Sequence, residues 1–413
     1  MVDDEVRSRD GISQRVQTVD VAIVGGGVAG SSLAAALATA GIGVVLIERE
    51  PRFRDRVRGE SIHPWGVREA SRLGLLPVLR AGGANELPVW QRYVDCVPQD
   101  PYHWADDSPD GLEEWTIFHP ALQQALLDHA REAGATVLRP ARAIAFRGGD
   151  RPELEVAADG GSATIRARLV VGADGRTSAA RRWVGAATQA DPVHHAVGGC
   201  LLDGVNLDLR SAHVTQPRGT MAIVFPQGEG RARAYLICSN QRAAALRPGG
   251  AAAFIAALAT HFPDGAIAYA EAIGPAAFFP NADTWADRIA RDSVVLAGDA
   301  AGANDPSLGQ GLSLAFRDAR ELRDMLLGEP HWPRAIQVFA ERRTTYYAVL
   351  REYARWHAVL AIEEGPEADA RRERVARARE ADPSAGGFAH IFALGPDGLV
   401  ADESARRRFL AED

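Results

Sequence analysis

A chain of 413 residues, 46% of them apolar, is long enough to bury one large core or two interlocked ones. Its formal charge of −8 is built from both signs spread along the chain, which argues against nucleic-acid binding as the main role. No run of roughly eighteen uncharged apolar residues is present to span a membrane, and Cys96, Cys200 and Cys238 lack zinc or C-x-x-C spacing.

In chain order, Met1 to Gln17 is polar and charged, with no apolar signal core. It is predicted to be a disordered lead-in to a cytoplasmic protein. Val21 to Val24 is an apolar strand that stops at Gly25, Gly27 and Gly30, spaced G-x-G-x-x-G. A helix-like stretch, Ser31 to Ala40, and a second strand, Val44 to Ile47, follow and end in Glu48. Gly25 allows a tight turn, Gly27 lets backbone N–H groups approach a pyrophosphate, and Gly30 lets the helix pack on the strand. The helix N-terminus offers N–H donors to phosphate, and an acid at the position of Glu48 can accept from ribose hydroxyls.

Arg58-Gly59-Glu60-Ser61-Ile62-His63-Pro64 then precedes a helix-like stretch, Val67 to Leu76. Residues 76–115 are rich in Trp, Tyr and Pro. His119 stands before a predicted helix, Pro120 to Ala133, and Ala135 to Leu138 is strand-like. Another strand breaks at Asp174-Gly175, with Ser178 and Arg181 one turn apart at the start of a predicted helix. Gly219 to Phe225 and Ala232 to Cys238 are strand-like. Ser293 to Ala297 reads as a buried strand running into Gly298-Asp299, where a carboxylate can accept from a polyol. The loop that follows carries Asp305, Pro306, Gly309, Gln310 and Gly311, and an apolar helix pattern starts at Leu312. Its N–H groups suit a flavin ring. From 328 the chain is mostly helical, with an apolar stripe through Ile336, Phe339, Tyr346, Tyr347 and Leu350 that predicts core packing.

The three glycine-centred motifs, in this order, resemble the FAD-dependent monooxygenases of the aromatic-hydroxylase type and their flavin-halogenase relatives. The resemblance spans residues 20 to about 327. It implies that Gly25, Gly27, Gly30 and Glu48 hold the ADP half of FAD. It links Asp174, Gly175, Ser178 and Arg181 to FAD and NAD(P)H, sets Gly298 and Asp299 at the ribityl chain, and puts Gly309, Gln310 and Gly311 beside the isoalloxazine. Where many relatives have an Arg opening the helix, this chain has His119, which can donate to a phosphate; Arg58 is the candidate for the missing charge. The Gly59-Glu60-Ser61 segment and Asp305-Pro306 are similar to the halogenase branch and related epoxidases. Leu308-Gly309-Gln310-Gly311 is closer to the hydroxylases.

The fold implied is α/β. A Rossmann-like FAD-binding domain, a parallel sheet with helices, is assembled from 18–75, 116–185 and 285–327. It is interleaved with a mixed-sheet α+β substrate domain from 76–115 and 186–284, and a helical C-terminal part covers 328–413. The reaction implied is secondary-metabolic oxygen transfer: NAD(P)H reduces FAD, O₂ gives a C4a-hydroperoxide, and an aromatic or polyketide-like small molecule is hydroxylated or epoxidised. His63, Asp305 and Pro306 are the catalytic candidates, with His194, His195 and Tyr235 as further candidate bases. Trp90, Trp104, Trp115, Phe225, Phe278 and Phe279 suit a flat apolar substrate and equally suit a core. A reductase or dehydrogenase on the same scaffold, a flavin-binding sensor, and a halogenase-like enzyme with a partner reductase are the alternatives. The last is disfavoured, because every basic residue is arginine and the halogenases rely on a lysine.

Overall fold

The computed structural model describes residues 6–7, 13–14, 16–57, 59–158, 161–382 and 388–412. The chain opens its main sheet with β1 (Val16–Val24), α1 (Val28–Thr39) and β2 (Val44–Ile47). It continues through α2 (Pro64–Arg72), β3 (Val89–Val94), α3 (His119–Glu132), β4 (Thr136–Leu138), β5 (Ala141–Arg147), β6 (Glu153–Ala158) and β7 (Gly161–Gly172). Then come β8 (His195–Asp203), β9 (Ser211–Thr215), β10 (Thr220–Pro226), β11 (Ala232–Cys238), β12 (Ala277–Asn281) and β13 (Val294–Leu296). Helices α4 (Gly311–Gly328), α5 (Trp332–Ala361), α6 (Pro366–Ala381) and α7 (Phe388–Leu394) follow.

Val21 to Val24 and Val44 to Ile47 are buried on both faces, as central parallel strands require. The parallel strands lie in the order β4-β2-β1-β7-β13, with β6 added antiparallel to β7 and β5 antiparallel to β6. The carboxyl ends of β1, β2 and β7 therefore meet along one rim, the place where open parallel sheets bind ligands. The second sheet runs β12-β8-β11-β10-β9-β3, antiparallel except for the β9–β3 pair. Its strands alternate with period two. Cys200, Val224, Leu236 and their neighbours face Phe254 and Leu258 of the covering helix. Val197, Ile223, Phe225, Tyr235 and Ile237 face the other way. Along α5, Ile336 and Phe339 enter the first core, while Tyr346, Tyr347 and Leu350 join Trp65, Ile391 and Phe392 in another.

Three local expectations need correction. The first strand begins inside the lead-in predicted to be disordered, because β7 is long enough for Thr164 and Ile165 to pair with Val16 and Gln17. After Asp174-Gly175 the chain makes only a short 3₁₀ turn, Ala180–Arg182, instead of a helix. The stretch Val67 to Leu76 is split by Gly74 at φ +74°. Among the described residues no helix is long and apolar enough to cross a membrane.

Candidate active site

The turn after β1 separates the three glycines by task. Gly25 has φ +111°, and a Cβ on it would lie 2.2 Å from the Ala173 carbonyl oxygen. A Cβ on Gly30 would lie 2.0 Å from the Gly25 carbonyl oxygen, so close packing of α1 on β1 excludes a side chain there. At Gly27 the nearest atom to a Cβ would be Gln123 Nε2 at 3.8 Å. Gly27 therefore faces open space and leaves the N-terminus of α1 bare toward a cleft of about 860 Å³.

Glu48 lines the same cleft. Its carboxylate accepts from the N–H groups of Gly26 and Glu50, both at 2.7 Å. On the opposite side, Asp174 Oδ2 accepts from the N–H groups of Ala179 (2.7 Å) and Ala180 (3.3 Å). Gly175, at φ +81°, carries the chain past it. Arg181 turns inward. Its guanidinium donates to the carbonyls of Ala300 (2.9 Å), Asp299 (2.9 Å) and Arg176 (3.0 Å), tying the Asp174 loop to the Gly298-Asp299 turn. That turn needs Gly298 at φ +60°. The Gly298 N–H donates to the buried carboxylate of Asp318 at 2.7 Å, which also accepts from Arg343 and the Tyr346 hydroxyl.

The cleft continues past Gly27, Gln123, Ala173 and Gly175 into a chamber of about 380 Å³. Gly298, Asp299, Pro306, Gly309 and Gly311 line one wall, and Trp90, Ile223, Phe225, Tyr235 and Phe279 line the other. The loop between Asn304 and Gly311 is clamped from two sides. On one, His63 Nε2 donates to the Leu308 carbonyl at 2.9 Å; a carbonyl only accepts, so Nε2 carries a proton. His63 Nδ1 lies 3.0 Å from Glu114 Oε1, off the line of a hydrogen bond, and Ser61 and Trp90 donate to the same carboxylate. Trp65 Nε1 donates to Gln310 Oε1 at 2.8 Å, and Gln310 Nε2 donates to the Leu308 carbonyl at 2.9 Å. The Gln310 side chain thus supports the loop from behind and is not part of the chamber wall.

On the other side, Asp305 accepts from the Ser307 N–H at 2.8 Å and from the Asn281 amide, and stands 3.4 Å from His195 Nε2. Burial pushes the Asp305 carboxyl up, but His195 and Ser307 outweigh burial and hold it below the usual range. Burial, with the neighbouring Asp305 charge, raises Asp283 to about 7. Of the two acids, Asp283 is the one that holds a proton near neutrality. Asp305 acts on the loop, while its neighbours Asn304, Pro306 and Ser307 line the chamber.

His119 Nδ1 donates to the Gly59 carbonyl at 2.9 Å, and its ring borders the chamber. Its backbone N–H donates to Glu60 Oε1 at 3.1 Å. Burial drives the Glu60 carboxyl up; Arg233, His119 N–H and the Gln227 amide all donate to it, and only the ionised form accepts from them all. Burial raises the Tyr235 phenol well above its ordinary range, so it stays neutral and is no base. His194 is lowered, first by burial and then by His195, and does not line the chamber. Arg58 lies outside the described residues.

Several contributors were missed by sequence reasoning: Gln123, Glu114, Asn281, Asp283, Asp318 and Phe392. Gln123 was within reach, four residues after His119 on the same helix face. The rest meet their partners only through the fold. Among the described residues no group of three His, Cys, Asp or Glu side chains could hold a metal. The donor set fits FAD: a bare helix N-terminus for the pyrophosphate, carboxylates at Glu48 and Asp299 for hydroxyls, and a helix N-terminus at Gly311 for a ring.

Comparisons with known proteins agree. Residues 18–329 match the family described as FAD binding domain. The chain is 30% identical over 325 residues to the 3-demethoxyubiquinol 3-hydroxylase of Escherichia coli (strain K12), covering 75% of this chain and 80% of that one. The crystal structure of p-nitrophenol 4-monooxygenase PnpA from Pseudomonas putida DLL-E4 superposes with a TM-score of 0.75 at 19% identity, covering 96% of this chain and 97% of that one. The flavin-dependent halogenase CmlS gives 0.72 at 21% identity, covering 95% and 76%. The two structural likenesses show the fold alone.

Proposed function

This chain belongs to the FAD binding domain family and is an FAD-dependent oxidoreductase of the monooxygenase type, and we propose that it draws electrons from NAD(P)H and uses O₂ to hydroxylate or epoxidise a flat aromatic or polyketide-like molecule. The observation that carries the proposal is the continuity of cleft and chamber along Gly27, Gln123 and Gly175. One extended dinucleotide can occupy both, with its nucleotide end at Glu48 and its reactive end facing an apolar wall.

Gly25 and Gly30 shape the turn, and Gly27 admits the pyrophosphate to the N-terminus of α1. Glu48 accepts from a ribose, Asp299 from the polyol chain, and the start of α4 at Gly309 to Gly311 meets the ring. Asp174, Gly175 and His119 border the same path. Bound FAD supplies the electron transfer and oxygen activation. The protein orients and excludes water: Trp90, Ile223, Phe225 and Phe279 make a dry wall opposite the loop. His63 and Asp305 hold that loop from either side, and Pro306 presents a rigid face to the substrate. The fold likeness to CmlS, with the Gly59-Glu60-Ser61 segment, supports a second reading, a halogenase-like enzyme fed by a partner reductase. The absence of lysine weighs against it.

The test is oxygen uptake by the purified holoenzyme with NADPH or NADH and a panel of phenols under ¹⁸O₂. Uptake that rises with a phenol, and one ¹⁸O atom in the product, is expected. NAD(P)H oxidation that leaves every phenol unlabelled would favour the reductase alternative.

A further inference from the structure

The chamber is closed at its apolar end by a part of the chain outside the family-matched region. Phe392, in α7, lines it together with Trp90 and His63. The Phe392 ring stacks on His63 with centroids 4.3 Å apart and 26° between planes, and lies 5.3 Å from Trp90 and 6.0 Å from Trp104. The segment carrying it is fixed at three points. A Cβ on Gly395 would lie 2.6 Å from the Trp65 ring, so only glycine lets the turn sit on α2. Arg68 donates to the Leu394 carbonyl at 3.1 Å. Arg317 forks onto Asp397 with bonds of 2.8 and 2.7 Å. Phe392 is therefore a rigid wall, held by α2 and α4.

Space and charge define what fits against it. The chamber of about 380 Å³ also has to take the ring end of the cofactor, since Gly298, Asp299 and Gly309 line it. A dry cavity of about 150 Å³ suffices for benzene, so the part of the chamber beyond that ring end suits a small aromatic and not a four-ring one. The arginines that line the chamber, Arg56 and Arg176, also line the nucleotide cleft, so among the described residues the arginines stand at the cofactor end, away from Phe392.

We infer that Phe392 is the specificity-determining residue of the chamber, and that it restricts the substrate to an uncharged planar aromatic of one or two fused rings. The inference rests on the reading that the cleft and chamber hold FAD and an aromatic substrate. The ring of Phe392 stops a longer molecule and, with Trp90, supplies aromatic contact to a shorter one.

The test uses oxidised FAD-loaded enzyme and three probes: phenol, 2-naphthol and 1-hydroxypyrene. Binding is read by perturbation of the flavin absorbance and, independently, by equilibrium dialysis. The wild type is expected to bind 2-naphthol at least tenfold more tightly than 1-hydroxypyrene. Phe392→Ala is expected to bind 1-hydroxypyrene at least tenfold more tightly than the wild type does. Phe392→Trp is expected to lose tenfold or more on 2-naphthol while keeping phenol. If the alanine variant fails to retain FAD, Phe392→Leu and Phe392→Trp carry the same comparison in opposite directions of size. An unchanged ranking of the probes in the folded variants overturns the role of Phe392 and leaves the aromatic-substrate reading intact. No binding of any probe to FAD-loaded wild type or variants overturns both.

Discussion

The cleft beside Glu48 and the chamber beside Trp90 share a border yet are built by opposite means. The cleft is centred on backbone: glycines without side chains and the bare N–H groups at the N-terminus of α1. The chamber is made of side chains held by buried hydrogen bonds, with Glu60, Glu114, Asp283 and Asp305 each serving several partners. A backbone site is written in a few consecutive residues and tolerates changes elsewhere. A side-chain site is written across the whole chain and fails through any of its partners.

The largest effect is expected within the cleft. Gly25→Ala forces a β-carbon onto the Ala173 carbonyl at positive φ. Strain and overpacking together are expected to cost about 3–5 kcal/mol, seen as a large fall in Tm and loss of bound FAD. An unchanged Tm would mean that the turn adapts and that the glycine is not required. Behind the chamber wall, Arg233→Met leaves Glu60 and Asp55 facing each other without their shared cation. About 3 kcal/mol or more is expected to be lost in urea unfolding, because a buried charge is left unpaired. A loss under 1 kcal/mol would show that Glu60 is held by its other donors alone.

Asp283 sharpens the contrast through pH. In the folded protein its carboxyl is raised to about 7 by burial and by Asp305. The unfolded group titrates near 3.9, so between those values the folded state binds more protons and stability falls as pH rises, levelling off above about 7. Asp283→Asn removes that dependence. The variant is expected to gain on the wild type from pH 5 to pH 8, by on the order of 1–3 kcal/mol. A difference that stays constant over that range contradicts the raised carboxyl. The smallest effect on stability, and the most telling for the cleft, is at Gly27. Gly27→Ala meets nothing closer than 3.8 Å, so the unfolding free energy of the FAD-free protein is expected to hold within about 0.5 kcal/mol. FAD affinity is expected to drop about tenfold, because the methyl stands where the pyrophosphate approaches.

The same difference explains what the amino-acid sequence disclosed. Gly25, Gly27, Gly30 and Glu48 lie within two dozen residues, and each has a backbone reason to be where it is. Gly298-Asp299 was legible for the same reason, at the end of an apolar strand. His63 was visible as a titratable residue, but its partner Leu308 is 245 residues away, and nothing local announces that the ring is committed to a carbonyl. The Glu60–Arg233 contact spans 173 residues. Asp305 was noticed beside Pro306, yet its work as a clamp on the loop depends on Asn281 and His195 from the second sheet. Phe392 sits in a stretch whose pattern reads only as helix. Topology assembled these contacts, and no spacing rule on one strand or helix could have anticipated them.

We propose that the continuous cleft and chamber hold FAD where NAD(P)H can reduce it. The most direct measurement adds NADPH, then NADH, to the oxidised holoenzyme under anaerobic conditions while the visible flavin absorbance is followed. Bleaching by one of the two nucleotides is the expected result. Full retention of the absorbance with both, in a sample that dithionite bleaches, would contradict direct reduction by NAD(P)H and favour an enzyme fed by a partner reductase.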